Sequence, residues 1–71
     1  MTYFTRYAEN KFALLNEHGV FIRKEQVTAA LAVPDKRGKI GQFLTVEKDG
    51  VKVVYQKNGA AARIITFYPA P

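Results

Sequence analysis

Apolar residues recur along the first third of the chain at helical spacing. Ala8, Phe12 and Leu15 stand at i, i+4 and i+7, with Tyr7 and Leu14 flanking the stripe, so they share one face of a helix. Thr5 precedes them as an N-cap whose hydroxyl can accept from a free amide of the first turn. Glu9 lies near the positive end of the helix dipole, and Gly19 can take the left-handed conformation that ends a helix. The spacing predicts a helix over 6–17. A second follows over 23–32, with Val27, Ala30 and Leu31 on one face. Ile22 and Val27 suit a hydrophobic staple around an N-cap at Arg23, with Gln26 at the capping-box position. Pro34 disfavours helix at Val33 and stops it near Ala32.

The pattern then changes. Thr2 to Thr5 reads as extended, and Asp35 to Gly38 as a polar loop. Lys48-Asp49-Gly50-Val51 and Lys57-Asn58-Gly59-Ala60 are tight-turn signals, because Asp-Gly and Asn-Gly tolerate positive φ. They divide the remainder into strands over 39–47, 51–57 and 61–68, which Pro69-Ala70-Pro71 brings to an end. Two-residue loops would set Val46 opposite Val53, and Val53 opposite Ile64. One face then carries Ile40, Gln42, Leu44, Val46, Val51, Val53, Tyr55, Ala62, Ile64, Thr66 and Tyr68, and is the one to lie beneath the helices. The other carries Phe43, Thr45, Glu47, Lys52, Val54, Gln56, Arg63, Ile65 and Phe67. The expected fold is α+β in the order β-α-α-β-β-β: one domain over 1–71, with two helices on one face of a small, mainly antiparallel sheet.

Composition sharpens this reading. A chain of 71 residues buries only about 60–65% of the surface its unfolded form exposes, and such small domains often need a staple. With no cysteine and one histidine, His18, disulfides are excluded and a zinc site is not expected. Packing must suffice, and a chain that is 48% hydrophobic, with five Phe and four Tyr, can supply it. The opening Met1-Thr2-Tyr3-Phe4-Thr5-Arg6 does not read as a signal peptide. No apolar run approaches the roughly 20 residues needed to span a bilayer, so the expectation is a cytoplasmic protein with no membrane partner.

Net charge is +5 and the pI about 9.8, which favours an anionic partner such as nucleic acid or an acidic protein. The excess is spread along the chain. Six basic and four acidic residues run through Arg37, and five basic and two acidic follow from Gly38. A sheet face on which Phe43 and Phe67 stand among Lys52 and Arg63 can stack bases and hold phosphates of single-stranded RNA. Tyr7 and Lys11, at i and i+4, could flank a phosphate from the helix. A solvated sheet face is the plainer alternative for Lys52 and Arg63, and an ordinary exposed helix face for Tyr7 and Lys11. His18 beside Gly19 suits a helix end better than a general acid. There is no serine, no glycine-rich phosphate loop and no carboxylate pair at functional spacing, so no cofactor is expected.

Three stretches resemble a known family. Leu15-Asn16-Glu17-His18-Gly19-Val20-Phe21-Ile22-Arg23-Lys24-Glu25-Gln26-Val27, ending in Val33-Pro34-Asp35, is similar to the helix-to-helix connection of a small prokaryotic domain family of unknown function related to the RelE/ParE toxins. Val51-Lys52-Val53-Val54-Tyr55 resembles that family's Leu-Arg-Val-Val-Tyr strand, and Ile64-Ile65-Thr66-Phe67-Tyr68-Pro69-Ala70 its closing Val-Ile-Thr-Phe-Tyr-Pro-Ala. His18-Gly19-Val20 is a weaker echo of BrnT-like relatives. The family often has His-Ala and then Arg in the first helix, where this chain has Tyr7-Ala8 and Lys11, and lysine does not reproduce the planar fork of arginine.

The resemblance implies the same β-α-α-β-β-β order and a toxin-like protein neutralised by an antitoxin: RelE-like toxins are ribosome-associated mRNA endonucleases, the activity expected here, and ParE-like relatives poison gyrase. Metal-free cleavage by 2′-hydroxyl attack needs a base, cations on the phosphate and an acid, roles open to Lys52, Arg63 and Tyr68. The predicted register sets Tyr68 on the opposite face from the other two, and there a core aromatic is the alternative. A non-catalytic RNA- or protein-binding module on the same scaffold, monomeric or weakly dimeric, is the other reading.

Overall fold

Thr5 is where the extended N-terminus becomes a helix. Its backbone is extended (φ −66°, ψ 162°), and its hydroxyl accepts from the Ala8 amide at 3.2 Å. The computed structural model describes residues 2–70. Within them the order is β1 (Thr2–Phe4), α1 (Arg6–Glu17), α2 (Lys24–Ala32), β2 (Lys36–Ile40), β3 (Phe43–Lys48), β4 (Val51–Asn58) and β5 (Ala61–Pro69). At the far end of α1, Gly19 has φ +78°. The Val20 amide donates to the Leu15 carbonyl and the Gly19 amide to that of Asn16, a Schellman closure with His18 as the C-cap. In α2 the Arg23 amide donates to Gln26 Oε1 at 2.8 Å. That is one arm of a capping box, since the arginine side chain has no acceptor for the other.

The five strands form one sheet in the order β1-β5-β4-β3-β2. β2 to β5 make an antiparallel meander, and β1 lies parallel to β5. The fold is α+β with two helices, but it has one strand more than the expected β-α-α-β-β-β order. The reason is Gly41. At φ +59° it opens a two-residue turn that pairs Ile40 with Phe43, cutting the expected 39–47 strand in two. The new edge strand takes in Lys36, Arg37 and Gly38, expected as loop. All five of its residues are exposed, so backbone pairing alone defines it and no hydrophobic alternation announces it. Its lysines and arginine also guard the edge against uncontrolled pairing.

Both helices lie on one face. Ala8 of α1 and Val27 and Ala30 of α2 are buried with Val46, Val51, Val53, Tyr55, Ile64 and Phe67. Phe12 and Leu15 pack against this cluster as the apolar stripe predicted, and Leu31 does so from α2. Phe12 links the N-terminal strand to the sheet, with its ring 5.6 Å from that of Phe4 and 4.3 Å from that of Phe67. An exposed Lys24–Glu9 ion pair at 2.8 Å joins the helices, a contact of the kind worth at most about 1 kcal/mol.

The β4–β5 register departs from expectation in two steps. The turn closes around Gly59-Ala60, with Asn58 opposite Ala61, a shift that preserves faces. A β-bulge then intervenes: Tyr55 pairs with Ile64, but Val54 pairs with Thr66, leaving Ile65 unpaired. One extra residue inverts every face beyond it. Phe67, expected outside, is fully buried opposite Val53, while Tyr68, expected beneath the helices, emerges opposite Lys52. Ile40, too, turns out to the helix-free side opposite Phe43.

Thr5 holds this bulge as well as the helix. Its hydroxyl donates to the Ile65 carbonyl at 3.4 Å, and its amide donates to the Ile64 carbonyl at 3.2 Å. Replacing Thr5 by Ala is expected to cost about 1–2 kcal/mol, as a lost cap with an added hydrogen bond. Phe67→Ala should cost ~3–5 kcal/mol, and Phe43→Ala markedly less. Urea unfolding of the three variants checks this, and equal losses at Phe43 and Phe67 would contradict the bulged register.

Candidate functional site

The helix-free face of the sheet is ordered in rows by the strand register. A central row runs Gly38, Thr45, Val54, Thr66. These residues are small or β-branched. Thr45 and Val54 are only 6% and 7% exposed, yet they face away from the helix-side core. They are sunk between larger neighbours. At Gly38 a Cβ would stand 2.8 Å from Thr45 Oγ1, so the row is closely filled even where no side chain exists. On one side lies a polar row of Lys36, Glu47, Lys52 and Tyr68. On the other lie Tyr3, Arg63 and Gln56, in mutual register across β1, β5 and β4, and the Ile40–Phe43 pair stands at the same end of β3. The face is thus a shallow trough between two taller rows.

One further side chain reaches this face from outside the sheet. β1 ends at Phe4 and pairs with β5 only as far as Ile64, so α1 runs beside the next stretch of β5. From there Lys11 reaches round the edge. Its ammonium donates to Thr66 Oγ1 at 3.0 Å and stands 5.5 Å from the Tyr68 ring centroid. An ammonium has three donors, and Thr66 uses one. Among the described residues, the cations Lys11, Lys36, Lys52 and Arg63 share the face with a single carboxylate, Glu47, which lies between Lys36 and Lys52 in the register. That imbalance makes the face cationic.

The residues named from sequence divide clearly. Lys52 and Tyr68 are brought together as direct cross-strand partners. Arg63 shares their face but not their position: its partner Gln56 is four residues from Lys52 on β4, or about 13 Å at strand rise. The three therefore do not converge on one phosphate. Lys11 joins the Lys52–Tyr68 side. Tyr7, 65% exposed, stays on α1 beside an open hollow of about 410 Å³ that Lys11 and Leu14 also line. Phe43 is half-buried on the trough side, whereas Phe67 is inaccessible because the bulge turns it into the core. His18 caps α1 and takes no part. Among the described residues no cluster of His, Cys, Asp or Glu could hold a metal, and no helix is long and apolar enough to cross a membrane.

Sequence reasoning missed Tyr3. Its signal was present in Thr2-Tyr3-Phe4-Thr5: strand alternation puts Tyr3 opposite in sense to Phe4, and Phe4 is the one that packs inward on Phe12. Thr66 was assigned to the wrong side by the unbulged register. Neither family models, nor curated proteins, nor solved structures provide a match to this chain.

Chemically, the face offers ammonium and guanidinium groups for phosphates, aromatic surfaces for bases and amide or hydroxyl groups for base edges. These side chains are peripheral to the core. Changing Lys52 and Arg63 together to Gln should leave stability within about 1 kcal/mol, with thermal unfolding as the check. A larger loss would assign them a structural role.

Proposed function

We propose that the protein binds single-stranded RNA across the open face of its sheet. One observation carries the reading: Lys11, Lys52 and Tyr68 on one side, and Tyr3 and Arg63 on the other, share a helix-free face with one carboxylate among the described residues. An open aromatic and basic sheet face suits splayed single-stranded bases, whereas the deep, narrow major groove of duplex RNA hides its base edges from side chains. Stacking on each exposed ring contributes about 1–3 kcal/mol, and the cations add a salt-sensitive phosphate term. The likeness to RelE/ParE-related domains supports an RNA target from a separate direction. It also suggests a cytoplasmic setting and an antitoxin partner, for which the uncovered outer edge of β2 is a natural seat.

The second reading is a toxin-like, metal-independent endoribonuclease. The direct pairing of Lys52 with Tyr68 favours it, since a phosphate held there would meet both a cation and a phenol. The separation of Arg63 favours binding without cleavage, and this is the reading we adopt.

Fluorescence anisotropy with labelled single-stranded RNA tests the proposal. Affinity is expected to fall steeply as salt rises from about 50 to 200 mM, and the K52Q/R63Q variant should flatten the log–log slope by about 1–1.5. Intact RNA after incubation with ribosomes supports the binding module; discrete cleavage products lost on Tyr68→Phe would establish the toxin-like reading instead. Absence of salt-dependent binding would overturn the RNA proposal.

A further inference from the structure

The two sides of the trough are built differently. On one side the Tyr68 ring already has an ammonium, Lys11, at 5.5 Å. That ammonium is anchored on Thr66, and Lys52 stands directly across the strand pair. A ring already approached by a cation is a poor platform for a base, but two ammoniums beside a phenol hydroxyl suit a phosphate. Anchoring also spares Lys11 part of the entropy a free lysine would lose on binding. On the other side Tyr3 is 39% exposed. Its register partner is Arg63, and the Arg63 partner is Gln56. An aromatic face beside a guanidinium and an amide suits a base, which stacks on the ring while the polar groups meet its edge.

Resting on the RNA-binding reading, we infer that the trough is divided into a phosphate clamp, made by Lys11, Lys52 and Tyr68, and a base platform, made by Tyr3, Arg63 and Gln56. The two are about 13 Å apart along β4. A stacked strand advances about 3.4 Å per nucleotide, so the clamped phosphate and the platform base are separated by at most about four nucleotides. The small central row of Gly38, Thr45, Val54 and Thr66 forms the low floor over which the joining backbone would pass. The ligand is therefore a short single strand lying across the sheet, gripped by charge at one end and by stacking at the other.

The test compares three labelled hexamers by anisotropy over a range of salt: oligo-U RNA, oligo-A RNA and an abasic ribose-phosphate strand. Lys11→Met should lower the salt slope by about 0.7 and weaken all three strands by a common factor. Lys11→Arg, which keeps the charge, should restore the slope. Tyr3→Ala should weaken the two base-bearing strands about 5- to 150-fold, the worth of one stacked base, and leave both the slope and abasic binding unchanged. Circular dichroism confirms that each variant is folded. The division is overturned if Tyr3→Ala weakens the abasic strand equally, or if Lys11→Met changes base preference without changing the slope. Failure of the parent protein to bind any of the strands overturns the RNA reading itself, a result distinct from either.

Discussion

A single unpaired residue, Ile65, sets the relation between the two faces of the sheet. Before it, β5 and β4 pair so that Ile64 enters the core; after it, the alternation is inverted and Phe67 enters instead. Without the bulge, Phe67 would face solvent and Phe12 would lose the ring it packs on at 4.3 Å. Burying such a side chain contributes roughly 1.5–3 kcal/mol, a large share for a domain of this size. The bulge is held from the N-terminus. The Thr5 hydroxyl donates to the Ile65 carbonyl and accepts from the Ala8 amide, so one side chain joins the start of α1 to the irregularity in β5.

The same inversion shapes the open face. It brings Tyr68 out beside Lys52, and Thr66 out to where Lys11 can reach it. Because β1 is only three residues long, α1 occupies the flank of β5 that a longer strand would have covered, and from that flank Lys11 curls round the edge. The core and the proposed RNA surface are therefore consequences of one local geometry. Bulges recur next to functional sites because they re-aim side chains in this way.

Charge decides between ligands more than between folds. The helix side of the molecule has its own cations, but Lys24 there is engaged with Glu9 and lies over the Phe4 ring. Among the described residues the open face has one carboxylate beside Lys11, Lys36, Lys52 and Arg63, and its aromatic groups flank a row of small residues on both sides. An acidic protein would satisfy the charges but would not need the open ring of Tyr3 beside them. A single strand of RNA uses both.

Much of this was legible in the sequence. Helical spacing marked Ala8, Phe12 and Leu15, and chemistry marked Thr5 as a cap and Gly19 as a terminator, because each depends on residues within a turn or two. Lys48-Asp49-Gly50-Val51 determined its own hairpin, with Asp49 and Gly50 both at positive φ. Lys52 and Arg63 were placed on the open face because alternation is local. What tertiary structure decided was everything that depends on a partner strand. β2 forms because β3 offers it backbone groups, although its own side chains bury nothing. The bulge exists because Phe67 gains more from the core than Ile65 loses by standing unpaired. That comparison involves Phe12 and Thr5, more than fifty residues away along the chain, and no local pattern contains it.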